Sequence, residues 1–190
     1  MVLAAIAVAI SAAAGSQPVA ASWLDAPHLE SWNRAGMSIP FAPQGEKNPD
    51  PRCHALARVP VSKEDSEIRA RGWDLVGPTP EAQHIRVIVG TADYDGMCRP
   101  RRYQEFVFVR GVFAGTLAPR PMDSRTDGAI GRVIIKSDRN LQAEYARYGA
   151  ADPLCCPSRT TRVMFDIETE PPMLRPVSAA TLPNPSTTRD

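Results

Sequence analysis

The sequence predicts an α+β domain: a mostly antiparallel sheet, curled or closed partway into a barrel, with one or two short helices and disulfide staples. Three observations carry this. From His84 to Glu168 apolar residues tend to recur at alternate positions, the period of a strand with one buried face. Short turn sequences such as Arg110-Gly111 and Ser137-Asp138-Arg139-Asn140 join these runs, as in antiparallel hairpins. Cys53, Cys98, Cys155 and Cys156 follow an apolar N-terminal run that reads as an export signal, so they mature where thiols pair.

Residues 1–21 form that signal. Val2 to Gly15 is uncharged and built of Ala, Val, Ile and Leu, and Val19-Ala20-Ala21 fits the small-x-small cleavage pattern. The run is short for a membrane span, which needs about 20 apolar residues. The expected mature chain begins near Ser22, has no membrane span, and is periplasmic or secreted. No cysteine stands beside the cleavage site to carry a lipid.

Residues 22–52 read as an N-terminal helix and an irregular segment. The helix spans 22–36, with Asp25 as its cap, Pro27 in its first turn and Gly36 at its end. Pro40, Pro43, Pro49 and Pro51 keep the rest irregular. Residues 53–170 read as the β-rich domain. It opens with a short strand over 55–61, then a helix that starts at Ser62 with Ile68 inward and stops at Gly72. Strands follow over 84–89, 103–109 and 112–117, then over 130–136, 141–148 and 161–168. Their apolar positions predict a core of Phe106, Phe108, Phe113, Val163, Phe165 and Ile167. Residues 171–190, with Pro171, Pro172, Pro176, Pro183 and Pro185, read as a disordered tail.

The four cysteines allow three connectivities. One closes a ring across the single peptide bond between Cys155 and Cys156, an uncommon geometry. The favoured pattern joins Cys53 and Cys98 each to one member of that pair. A metal site is not expected. His28, His54 and His84 are scattered, and adjacent cysteines do not fit the spacing of zinc ligands.

With 22 basic and 21 acidic residues the chain lacks the basic excess of a nucleic-acid binder. The common motifs of serine hydrolases, zinc proteases, dinucleotide-binding and phosphate-binding loops are absent, so no catalytic residue and no cofactor is assigned. Asp93-Tyr94-Asp95-Gly96 opens like a calcium loop, but Cys98-Arg99-Pro100 follows where ligands are needed, and a turn is the better reading. Arg99, Arg101 and Arg102 form the densest basic spot. With Arg125, on the link from Pro119 to Gly128, they are the candidate anion-binding residues; the plain alternative is a solvated strand edge. Contacts of Arg125 with Asp123 or Asp127 are expected to hold that link.

Phe106-Val-Phe-Val-Arg-Gly-Val-Phe-Ala-Gly-Thr116, followed by Asp152-Pro-Leu-Cys-Cys-Pro157 and a strand, resembles the LppP/LprE family of bacterial lipoproteins over about residues 98–168. The shared features are an aromatic strand, a glycine turn, a return strand and a Cys-Pro loop before the last strand. The resemblance implies a compartment and a fold, with no chemistry attached. The expected function is a non-catalytic binding or structural module of the bacterial envelope or a secreted protein. Its partner would be an anionic envelope component or another envelope protein. The alternative is an envelope-directed hydrolase with an unrecognised site, which requires a titratable pair such as His84 with Asp93 or Asp95.

Overall fold

Strands β3 (Ile85–Tyr94) and β4 (Pro100–Val109) pair along their whole length, from Ile85 opposite Val109 to Tyr94 opposite Pro100. They form the centre of the computed structural model, which describes residues 22–185. The expected signal, 1–21, and the last part of the expected tail, 186–190, lie outside the described residues. β1 (Asp74–Val76) and β2 (Glu81–Ala82) pair with β3, and β5 (Val112–Thr116) pairs with β4, completing an antiparallel five-stranded sheet. A second antiparallel sheet runs in the order β6 (Ile130–Ser137), β7 (Asn140–Arg147), β8 (Arg159–Thr169), β9 (Pro172–Pro183). The mostly antiparallel character is as expected. The strands form two sheets and no closed barrel.

Both faces of the first sheet are covered, and β4 shows why in its sequence. Phe106 and Phe108 point to one side and Val107 and Val109 to the other; all are buried. On one side the phenylalanines meet Phe113, Ile88, Leu75, Trp73 and Ile68. On the other, Ile85, Val87, Val107 and Val109 pack on Leu141, Ala143, Tyr145, Val163, Phe165, Ile167 and Leu174 of the second sheet. The six residues expected in the core are all buried, but they divide between these two layers. Phe113 lies opposite Phe108 with ring centroids 5.6 Å apart, the cross-strand contact expected across the Arg110-Gly111 turn.

The helix at Ser62 forms as read. It is α2 (Lys63–Ala70), with the Ser62 hydroxyl accepting from the Asp65 N–H at 3.1 Å and Gly72 leaving the helix at φ +87°. Its inward face carries Asp65 as well as Ile68. Asp65 is almost fully buried and takes both nitrogens of the Arg58 fork at 2.6 Å. That pairing helps explain why no strand forms over 55–61. A short helix, α1 (Pro51–His54), capped by Asp50, precedes it, and the chain then turns Arg58 inward toward α2 and leaves Val59 and Val61 exposed.

The helix expected over 22–36 is only a single 3-10 turn, Trp23–Asp25, capped by Ser22. The rest lies extended because its side chains cover the sheets. Trp23 and Trp32 stack edge-on at 4.8 Å, and Trp23 reaches Tyr145 at 5.2 Å. The Asn33 amide closes a two-bond ring with Thr116, donating to its carbonyl at 3.0 Å and accepting its N–H at 2.8 Å. This close approach requires Gly115, whose φ is +143° and whose missing Cβ leaves room for the Asn33 amide. Asp25, assigned as a helix cap, instead joins Asp127 on the buried Arg147 guanidinium, at 2.7 and 3.0 Å.

The proline-rich segment after residue 170 is not a disordered tail within the described residues. Residues 172–183 are β9, paired with β8 from Thr169 opposite Pro172 to Arg159 opposite Pro183. Prolines are tolerated there because an edge strand pairs on one side only. Leu174 and Pro176 are buried, so this segment closes the core it was expected to leave.

The favoured cysteine connectivity is also overturned. Cys53 bridges Cys98, with Cα atoms 4.7 Å apart, and Cys155 bridges its neighbour Cys156. Asn48 sets the first bridge. Its N–H donates to Asp93 at 2.7 Å and its side chain to the Asp95 carbonyl at 2.8 Å, which seats the α1 segment over the β3–β4 turn. Cys155 and Cys156 sit on the exposed β7–β8 loop of the other sheet.

Candidate functional site

The β3–β4 turn gathers the basic spot, and two aspartates meet it. Arg99 Nε donates to Asp95 at 2.6 Å. Arg101 and Arg102 approach the same Asp93 oxygen at 3.8 and 3.5 Å. Burial acts to raise the Asp93 carboxyl, but backbone hydrogen bonds from Asn48 and Tyr94 and the two guanidinium groups hold it below its ordinary range. Arg102 also donates to the carbonyls of Gln44 and Glu46, at 3.1 and 3.0 Å. The Arg101 side chain is half exposed. Replacing Arg101 by alanine is therefore expected to change stability by under about 0.5 kcal/mol. Arg102→Ala is expected to cost about 1–2 kcal/mol, because it removes a positive charge facing buried Asp93 and two hydrogen bonds that tie β4 to the 44–46 segment. Urea melts of both variants check this, and equal costs would mean that the contacts of Arg102 carry nothing.

Arg125 shares no carboxylate with these residues. It lies exposed on the link, in the left-handed region at φ +61°. The expected contacts with Asp123 and Asp127 are not what holds the link. Asp123 accepts the Arg102 N–H at 2.7 Å, Asp127 pairs with Arg147, and Met122 exchanges two 2.8 Å backbone bonds with Tyr103. What Arg125 borders is a cleft between the two sheets.

That cleft has a volume of about 450 Å³. One wall is a row across the first sheet, with Val76 opposite Val89 and Val89 opposite Glu105. Tyr103 adjoins the row, Ala129 and Ile130 line the cleft from the link and β6, and Leu56, more than half exposed, and Arg125 stand at the mouth. The walls are apolar apart from a few groups, the composition of a small-molecule site.

Glu105 is the exception on the wall. It is 7 % exposed, yet among the described residues no side chain or backbone group donates to its carboxyl. The two phenols near enough to feel its charge are turned elsewhere. Tyr103 donates to the Ile130 carbonyl at 3.2 Å, and Tyr145 to the Leu117 carbonyl. Burial alone pushes the Glu105 carboxyl up to about 8, so it carries a proton at neutral pH. The sequence holds a signal for it. By the two-residue period Glu105 shares a face with Tyr103, Val107 and Val109, and an acid on a core face of a strand marks a buried charge.

The histidines do not enter this cleft. His84 sits exposed at the start of β3, whereas Asp93 lies at its far end. His54 lies 3.7 Å from Asp74 and edge-on to Tyr94. The pairs proposed for a hydrolase, His84 with Asp93 or Asp95, are thus separated by the length of a strand.

No curated protein and no solved structure matches the chain. Residues 78–170, which run from before β2 to the end of β8 and carry Val89, Glu105 and Ile130, match the model of the LppP/LprE lipoprotein family.

Proposed function

We propose that this chain is an exported, envelope-associated binding module without catalytic activity, and that it binds through the cleft around Glu105. The lipoprotein family of its central segment supports association with the envelope. The apolar run before Ser22 supports export, and no helix among the described residues is long and apolar enough to cross a membrane. The observation that carries the binding role is a buried carboxyl without a partner, facing an open cleft with apolar walls. The carboxyl lines the cleft, where it can take a donor that a ligand brings. No histidine lines the cleft, which suits holding a ligand better than moving protons between a nucleophile and a base.

A neutral apolar dye tests the site. N-phenyl-1-naphthylamine is expected to bind the wild-type chain at one site with a rise in fluorescence. Val89→Tyr, which fills the cleft, should weaken that binding by at least about tenfold, the effect of losing most of a small contact area. Val177→Tyr, on an exposed face of β9, serves as the control for added bulk. Equal binding by all three proteins would place the dye elsewhere and sink the proposal.

A further inference from the structure

The hydroxyls near Glu105 spend their hydrogens elsewhere. The Tyr103 and Tyr145 hydroxyl hydrogens go to main-chain carbonyls, and the Ser124 hydroxyl donates to the Pro100 carbonyl at 2.8 Å. None of these hydroxyls is free to donate to Glu105, and the Pro100 carbonyl is filled, since it also accepts the Ser124 N–H at 3.2 Å. The cleft therefore offers the Glu105 carboxyl with no hydroxyl turned toward it, and the Arg125 guanidinium stands at its mouth. Among the described residues no lysine or arginine forms an ion pair with Glu105. A glutamine would fill the same space and present a neutral donor and acceptor, so a glutamate here is of use where it ionises. An acid without a donor on an apolar wall is complementary to a ligand that brings N–H donors and a positive charge. The walls of Val76, Val89, Ala129 and Ile130 suit an apolar body behind that charge, and about 450 Å³ suits a small molecule.

We infer that the cleft binds a small organic cation, a primary ammonium on an apolar stem, with the ammonium paired to the Glu105 carboxylate. This rests on the cleft being the binding site. The protons balance simply. Protonated Glu105 gives up its proton to water as the ammonium enters, so one ion pair forms and one proton leaves. The other titratable groups around it are Tyr103 and Tyr145, whose hydroxyls burial holds neutral, and Arg125 at the solvent side of the mouth. Arg125 opposes the ammonium by like charge.

Calorimetric titration of the full chain at pH 7 with n-hexylamine, n-hexanol and hexanoate tests the assignment, in two buffers of different ionisation enthalpy. Hexylamine should bind about tenfold or more tighter than hexanol, the worth of a charge-assisted hydrogen bond. It should release about one proton per molecule bound, as linkage requires. Glu105→Gln should bind the amine and the alcohol alike, with no proton release, and Arg125→Ala should strengthen amine binding. Hexanol binding as well as the amine, or no proton release, overturns the inference. Hexanoate binding most tightly, with loss in Arg125→Ala, overturns it in favour of an anion site. If hexylamine fails while N-phenyl-1-naphthylamine still binds at the cleft, the amine assignment falls alone. If neither binds, the cleft is not the binding site and both readings fall.

Discussion

Phe165→Ala is expected to lower stability in urea melts by about 3–5 kcal/mol, the usual cost of emptying a buried aromatic site. Phe165 is fully buried at the centre of the layer between the sheets. On β8 it is paired with Leu141 of β7 and, across a register shift, with Pro176 of β9. The Trp32 ring meets it edge-on at 6.1 Å, so the void would also loosen the N-terminal segment. Removing a side chain held from three directions leaves a cavity its neighbours cannot close, because each belongs to a different paired element. The loss is a large share of a domain's total stability of about 5–15 kcal/mol. A cost below that of Arg102→Ala would show that the layer between the sheets is not the main core.

The second large effect is a dependence on pH with an unusual sign. The Glu105 carboxyl is raised from 4.5 to about 8 in the fold. Between those values the native protein keeps a proton that the unfolded chain releases, so stability falls as pH rises. The contribution is fully present below the unfolded value and is lost as pH passes through about 8. The total is on the order of 5 kcal/mol. Asp65, Asp93 and Asp95 act in the opposite sense, because their carboxyls are lowered in the fold. Their contribution is lost only as pH falls into the acid range, below the window of Glu105. Glu105→Gln should therefore match the wild type near pH 5, exceed it at pH 8.5, and remove most of the slope between. Urea melts across that range decide it. A slope that persists unchanged in Glu105→Gln would assign the effect to other groups.

The sequence by itself determined the hairpins. Phe106 to Val109 and Val163 to Ile167 announce strands through a two-residue period, and Arg110-Gly111 and Ser137 to Asn140 announce the turns of the β4–β5 and β6–β7 hairpins. These are local matters, set by side-chain alternation and by the few residues that suit a tight turn. The helix at Ser62 is local for the same reason, since its cap and first turn lie within four residues. The family resemblance over about residues 98–168 was also legible there, and the matched segment is longer, 78–170.

Tertiary structure decided the rest. Residues 172–183 carry prolines that argue against a strand, and the vacant edge of β8 with a core opening for Leu174 made them one. The helix expected at 22–36 gave way because Trp23, Trp32 and Asn33 gain more by covering the sheets than a short helix gains from its own bonds. The cysteine pairing followed the seat Asn48 makes on Asp93 and Asp95, which sequence spacing does not reveal. The same division runs through the site. Arg99, Arg101 and Arg102 stood out as a basic run, but their charges are met by aspartates that only the β3–β4 turn brings close. Glu105 looked like one charge among many until two sheets enclosed it. Whether a carboxyl is solvated, paired or orphaned depends on what faces it from other elements, and that is a property of packing rather than of neighbours in sequence.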